Sequence, residues 1–248
     1  METIQFDQGF AYGMGVFETI AVHCGKTVFC EPHLDRLEQG MERLNIRNRA
    51  YERSAVLEEL NRRAVGRDRI VLKLIVTEKN LIFRERNNPY SEETRRKGLK
   101  LCFAEARRNE TSPFTYHKSL QRGDFVLEKE NALRRGFDEP LFLNHAGRVT
   151  ETAAANLFCV KDGVVRTPPL SDGLLNGVMR QFLLGIFPEI REESLRPEAV
   201  KNADELFLTN SLMGIMPVAS LEGICYEQRT RGEELSAMYL AYLRKLKD

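Results

Sequence analysis

Tyr116-His117-Lys118-Ser119 and, some thirty residues later, Val149-Thr150-Glu151-Thr152-Ala153-Ala154-Ala155-Asn156-Leu157-Phe158 carry the two side chains best suited to chemistry. Lys118 stands just ahead of an amphipathic stretch, and Glu151 leaves a tight turn. A partly desolvated lysine can form an imine, and a carboxylate can hold a protonated pyridine nitrogen. Those two functions together are what a pyridoxal phosphate site needs. Taken singly, each residue reads more readily as a solvated surface charge among 37 basic and 36 acidic side chains.

A phosphate would need its own donors. Asn176-Gly177-Val178-Met179-Arg180 stands where a helix should begin, and the unsatisfied amides there, helped by the helix dipole, suit an anion. The same residues also read as an ordinary asparagine cap. Arg36 projects from an earlier helix and could grip phosphate through two parallel hydrogen bonds, or be a solvated helix charge. Gly13-Met14-Gly15 lacks the strand-then-helix setting of a nucleotide fingerprint, and neither a GxSxG elbow nor an HExxH pair occurs.

The totals narrow the class. A net charge of +1 creates no global field for nucleic acid or an anionic membrane, so a small molecule is the expected partner. No apolar stretch is long enough to span a bilayer, and Met1-Glu2 through Asp7 does not open a secretory signal, so a cytoplasmic protein is expected. Five widely spaced cysteines and four scattered histidines favour reduced thiols and no metal centre.

The elements that must position these residues follow from periodicity. Phe17 to Val22, a turn at Gly25-Lys26 and Thr27 to Cys30 read as a hairpin; Leu34, Leu37, Met41 and Leu44 share a helical face with Pro32 in its first turn. A helix over 52–65, a strand over 70–76, a polar surface loop over 84–97 and a strand over 99–104 come next. After a polar connector come a helix over 120–134, hairpins turning at 145–147 and 161–163, a helix from 176 to about 187, a strand over 205–209 and a final helix carrying Leu235, Met238, Tyr242 and Leu246. This gives an α+β chain of two domains: a smaller one over 1–107, a linker over 108–114, and a larger one over 115–248 carrying Lys118.

Assembled in order, Phe10-Ala11-Tyr12-Gly13-Met14-Gly15-Val16-Phe17-Glu18-Thr19, His33-Leu34-Asp35-Arg36-Leu37, His117-Lys118-Ser119, Arg148 to Phe158 and Leu174 to Arg180 resemble the class IV aminotransferase family, the fold type IV pyridoxal phosphate enzymes. Asn210-Ser211-Leu212-Met213 leading to Pro217-Val218 resembles the aminodeoxychorismate lyase branch. The resemblance implies a two-domain fold similar to D-amino acid aminotransferase, each lobe a mixed sheet or barrel with helices, and a homodimer. It implies that Lys118 carries pyridoxal 5'-phosphate and moves protons, that Glu151 pairs with the pyridine nitrogen, that Arg36 grips the phosphate, and that Asn156, Gly177, Val178, Met179, Ser211 and Leu212 complete the cofactor site. The implied activity is elimination of pyruvate from 4-amino-4-deoxychorismate to give 4-aminobenzoate for folate biosynthesis. Alternatives are a transaminase of D-amino or branched-chain amino acids and a non-catalytic cofactor-binding homologue. The chain departs from the lyase pattern at Met14 and at Thr77-Glu78-Lys79-Asn80.

Overall fold

The computed structural model describes residues 3–246, which divide into two units. One unit takes the chain as far as Pro89, the segment His117–Arg122 and the residues from Tyr242; the other takes Tyr90–Tyr116 and Gly123–Ala241. Both combine helices with a sheet, the α+β class expected.

The first unit contains α1 (Gln8–Tyr12), β1 (Gly15–His23), β2 (Lys26–Thr27), α2 (Cys30–Arg43), α3 (Arg53–Ala64), β3 (Ile70–Thr77) and β4 (Leu81–Asn87). Its antiparallel sheet has the order β2-β1-β3-β4, and β1 pairs with β3 from Gly15↔Thr77 through Ala21↔Val71. The expected apolar stripe of α2 is buried at Leu34 and Leu37, and Pro32 lies in the first turn, where its missing N–H costs no helical bond. Gly40 lets α2 lie close on β1: a Cβ there would come 2.9 Å from Val16 Cγ1.

The second unit contains α4 (Glu92–Lys97), β5 (Leu99–Arg108), α5 (Gly123–Arg134), β6 (Glu139–Asn144), β7 (Val149–Thr152), β8 (Asn156–Lys161), β9 (Val164–Thr167), α6 (Val178–Ile186), β10 (Arg191–Glu192), α7 (Pro197–Lys201), β11 (Glu205–Asn210), β12 (Gly214–Leu221), β13 (Ile224–Cys225) and α8 (Thr230–Lys245). The order β8-β11-β12-β5-β6-β7 closes when β7 pairs back to β8, making a barrel. Leu101, Leu141, Val149, Leu157, Leu208 and Met216, one from each of those strands, meet in a single apolar cluster. Both expected hairpins of this unit form, at β6–β7 and β8–β9.

Three expectations need correction. The supposed loop over 84–97 is strand β4 followed by helix α4. β4 is an edge strand whose Arg84, Glu85 and Arg86 face solvent, so it lacks apolar alternation although its backbone pairs with β3 from Ile70↔Asn87 to Val76↔Leu81. α4 has no buried residue; it is fixed by Ser91 accepting from Thr94 N–H at 3.1 Å, acids in its first turn and bases in its last. The helix expected from residue 120 starts at Gly123, because the preceding backbone is bonded to β1 instead. Strand β5 continues past Ala104 to Arg108, where Glu128 accepts from the amides of Glu105 and Ala106. Among the described residues no helix is long and apolar enough to cross a membrane.

Candidate active site

In the first unit Lys118 is half-buried and held by its backbone against β1. Phe17 N–H donates to Lys118 O and Leu120 N–H to Gly15 O, each at 2.9 Å, with a bridge between Val16 and Ser119. Gly15 makes that approach possible, since a Cβ would fall 2.5 Å from Leu120 Cδ1. Lys118 Nζ lies 4.8 Å from the centroid of the Phe17 ring, and Lys73 Nζ of β3 lies 4.7 Å from the same ring. Burial pushes the Lys73 amine below its ordinary pKa, and the Arg86 charge adds to the effect. Sequence reasoning passed over Lys73; the signal was a lysine interrupting the apolar run Ile70 to Val76.

Arg36 lies one helical turn before Gly40 and is 9% exposed. Its Nε and Nη2 donate to Glu18 Oε1 and Oε2 at 2.7 and 2.8 Å, and His33 Nδ1 is 2.6 Å from Oε2. Burial pushes the Glu18 carboxyl up, yet Arg36 and His33 outweigh it and hold the group well below the usual carboxylate range. Burial pushes the His33 imidazole down, Glu18 notwithstanding. The His33–Glu18 contact is therefore a neutral imidazole N–H donating to a carboxylate, not a pair of full charges. Sequence reasoning gave Glu18 no role of its own; it stood only as one polar residue in the partly alternating run Phe17 to Val22.

In the second unit, register brings three polar residues into one row. Asn156 on β8 stands opposite Glu151 on β7 and opposite Thr209 on β11, so all three project from the same face. Each is buried, and both Glu151 Oε1 and Thr209 Oγ1 lack a hydrogen-bond partner among the described residues. Arg108 Nη2 stands 3.5 Å from Glu151 Oε1, close enough to attract it but without the alignment of a hydrogen bond. Arg108 is held by the face of Phe125, 4.4 Å away, and by donation to Thr115 O at 3.2 Å. It too was missed, in a segment read as a connector.

Asn156 also fixes the loop entering α6. Its Nδ2 donates to Leu175 O at 2.9 Å, while its Oδ1 sits where a Cβ on residue 177 would be, at 2.1 Å. Gly177 caps α6 and no side chain bonds to the cap, which corrects the asparagine-cap reading of Asn176. Val178 and Met179 follow as the first helical residues. Arg180, 1% exposed, ties the same loop down by donating to Pro168 O at 3.0 Å and Asn176 Oδ1 at 3.2 Å. Beside β11, Asn210 Oδ1 accepts from the amides of Leu212 and Met213, both at 2.9 Å, and Asn210 Nδ2 donates to Ala154 O at 3.1 Å. The turn carrying Ser211 and Leu212 is thus built on the Asn210 side chain.

The family model for "Amino-transferase class IV" matches residues 15–221, which include Glu18, Arg36, Lys118, Glu151 and the Asn210 turn. The chain belongs to the class IV aminotransferase family. It is 29% identical to the aminodeoxychorismate lyase of Bacillus subtilis over 98% of this chain and 89% of that protein. A solved 4-amino-4-deoxychorismate lyase from Pseudomonas aeruginosa superposes with a TM-score of 0.82 at 31% identity, covering 96% of this chain and 94% of the other. A putative branched-chain-amino-acid aminotransferase of Methanocaldococcus jannaschii is 30% identical over 92% of this chain and 85% of its own length. Class IV enzymes are pyridoxal phosphate-dependent, so this chain is a pyridoxal phosphate-dependent enzyme, a lyase or an aminotransferase. The second unit fits such a group on its own terms: an unpartnered buried carboxylate oxygen suits a pyridinium N–H, and a helix start with no side-chain cap suits a phosphate.

Proposed function

We propose that this class IV enzyme is a 4-amino-4-deoxychorismate lyase, eliminating pyruvate to leave 4-aminobenzoate. The observation that carries the reading is the Asn210-Ser211-Leu212-Met213 turn, where the asparagine side chain itself bonds two amides of the loop that the lyase-like sequence specifies. The lyases of Bacillus subtilis and Pseudomonas aeruginosa, similar over nearly the whole chain, support it.

Bound pyridoxal phosphate supplies an aldehyde carbon for an amine and a ring that accepts electrons. Lys118 would hold the cofactor through its Nζ, and the free Nζ would take the proton from the substrate carbon bearing nitrogen. The same Nζ can return a proton to the departing enolpyruvate, which leaves as pyruvate while the substrate ring becomes aromatic. Glu151 would accept from a pyridinium N–H through the oxygen that has no hydrogen-bond partner among the described residues, and Asn156 keeps the neighbouring loop in register. Arg36 would hold the phosphate in the reading of the first unit, and the amides of Gly177, Val178 and Met179 with the turn at Ser211 and Leu212 would do so in the second. Lys73, drawn partly out of water beside Phe17, offers a cation to a substrate carboxylate. The reading carries with it a homodimer and a reducing cytoplasm, in which Cys24, Cys30, Cys102, Cys159 and Cys225 stay free thiols.

The test supplies aminodeoxychorismate to cofactor-loaded protein and follows 4-aminobenzoate and pyruvate, expected in equal amounts. Absence of both products, together with transfer of nitrogen from an amino acid to a 2-oxo acid, would establish the aminotransferase reading favoured by the Methanocaldococcus relative.

A further inference from the structure

We propose that Glu18 is a positioning residue for the cofactor phosphate: it fixes the plane of the Arg36 guanidinium before any phosphate arrives. The inference rests on the reading of Arg36 as the phosphate grip, and deepens it.

A carboxylate with no exposure is a costly thing to build into β1. Burial opposes its charge, and an apolar side chain would fill the position between Val16 and Ile20 on the same covered face. What the carboxylate does there is specific. Its two oxygens take Nε and Nη2 of Arg36 at 2.7 and 2.8 Å, a bidentate grip that leaves a planar guanidinium a single orientation. His33, three residues before Arg36 on α2, adds a bond of 2.6 Å to Oε2 and so fixes the carboxylate in turn. The rotamer freedom that an unheld arginine would lose on meeting a phosphate has already been lost in folding.

The arrangement has an electrostatic consequence that separates it from simple charge attraction. With His33 neutral, Glu18 cancels the Arg36 charge, so the cluster is neutral overall and grips an anion by aimed N–H groups instead of by net charge. Replacing Glu18 by glutamine adds one positive charge and removes the bidentate acceptor. Charge attraction would then tighten phosphate binding; lost positioning would weaken it.

The full-length protein, stripped of cofactor, is titrated with pyridoxal phosphate and with pyridoxal, which lacks the phosphate. For Glu18→Gln the expected result is a loss of about tenfold or more toward pyridoxal phosphate with pyridoxal changed by less than about twofold. Glu18→Asp, which keeps the charge but draws the carboxylate one methylene back from the Arg36 guanidinium, should move in the same direction by less. Unchanged or tighter binding of pyridoxal phosphate overturns the proposal, and so does an equal loss toward both compounds, which would mark a purely structural role. Arg36→Gln is the reference: if it keeps the wild-type preference for the phosphorylated compound, the reading of Arg36 itself fails. A measurement on the unmutated protein guards against misfolded variants. The Arg36 Nε–H resonance should be resolved and slowly exchanging in the cofactor-free state, and an averaged, fast-exchanging signal would contradict the proposal.

Discussion

Glu18 and Glu151 are both buried glutamates on strands, and their surroundings are opposite. Glu18 is saturated: a bidentate arginine and an imidazole take its oxygens at 2.6 to 2.8 Å. Glu151 is kept short of saturation, with Arg108 at 3.5 Å and Oε1 without a hydrogen-bond partner among the described residues. A protein that buries a carboxylate normally completes its hydrogen bonds, because an orphaned buried polar atom costs about 1–3 kcal/mol. The difference therefore separates an acid that serves its neighbours inside the protein from one held open for a donor that comes from outside.

The contrast predicts opposite phenotypes. Glu18→Ala should cost roughly 3–5 kcal/mol of folding stability, since it takes the bidentate carboxylate away from the buried Arg36 charge, and chemical denaturation reads this directly. Glu151→Gln should leave stability within about 1 kcal/mol yet lower turnover on the order of 10²-fold, because the group acts on the ligand. If the two variants exchanged these effects, the distinction would collapse. Gly177→Ala sharpens the second half: its Cβ would meet Asn156 Oδ1 at 2.1 Å, so about 1–3 kcal/mol of stability and part of the cofactor affinity should go together.

The smallest effect concerns pH. Burial holds His33 below its ordinary pKa, so the unfolded chain takes up a proton near pH 6.5 that the folded chain refuses. Stability is then fully present above that pH and is lost as pH falls, with a slope of at most about 1.4 kcal/mol per pH unit from this residue. Glu18, also depressed, continues the trend in the carboxylate range. Replacing His33 by glutamine should flatten melting temperature against pH between about 5 and 6.5; an unaltered slope would place the titration elsewhere.

Much of this was legible in the sequence, though unevenly. Elements with a strong period were found, such as the α2 stripe at Leu34 and Leu37 and the two hairpins of the barrel unit. Elements held by backbone pairing and caps were not: β4 shows charged residues to solvent, and α4 buries nothing. The lysine, the acid and the glycine at 177 stood out through the order of motifs. Glu18 did not, because alternation tells which residues share a face without telling which face the helix covers. Glu151 and Asn156 pair across neighbouring strands, but Thr209 joins their row only through register with a strand more than fifty residues away, and no local pattern encodes that.

The most direct test of the account is to load the protein with pyridoxal phosphate, reduce it with borohydride and locate the modified residue by peptide mass spectrometry. A single stable adduct on Lys118, absent from Lys118→Ala, is the expected result. An adduct on Lys73, whose amine shares the Phe17 ring, or no adduct at all, would contradict it.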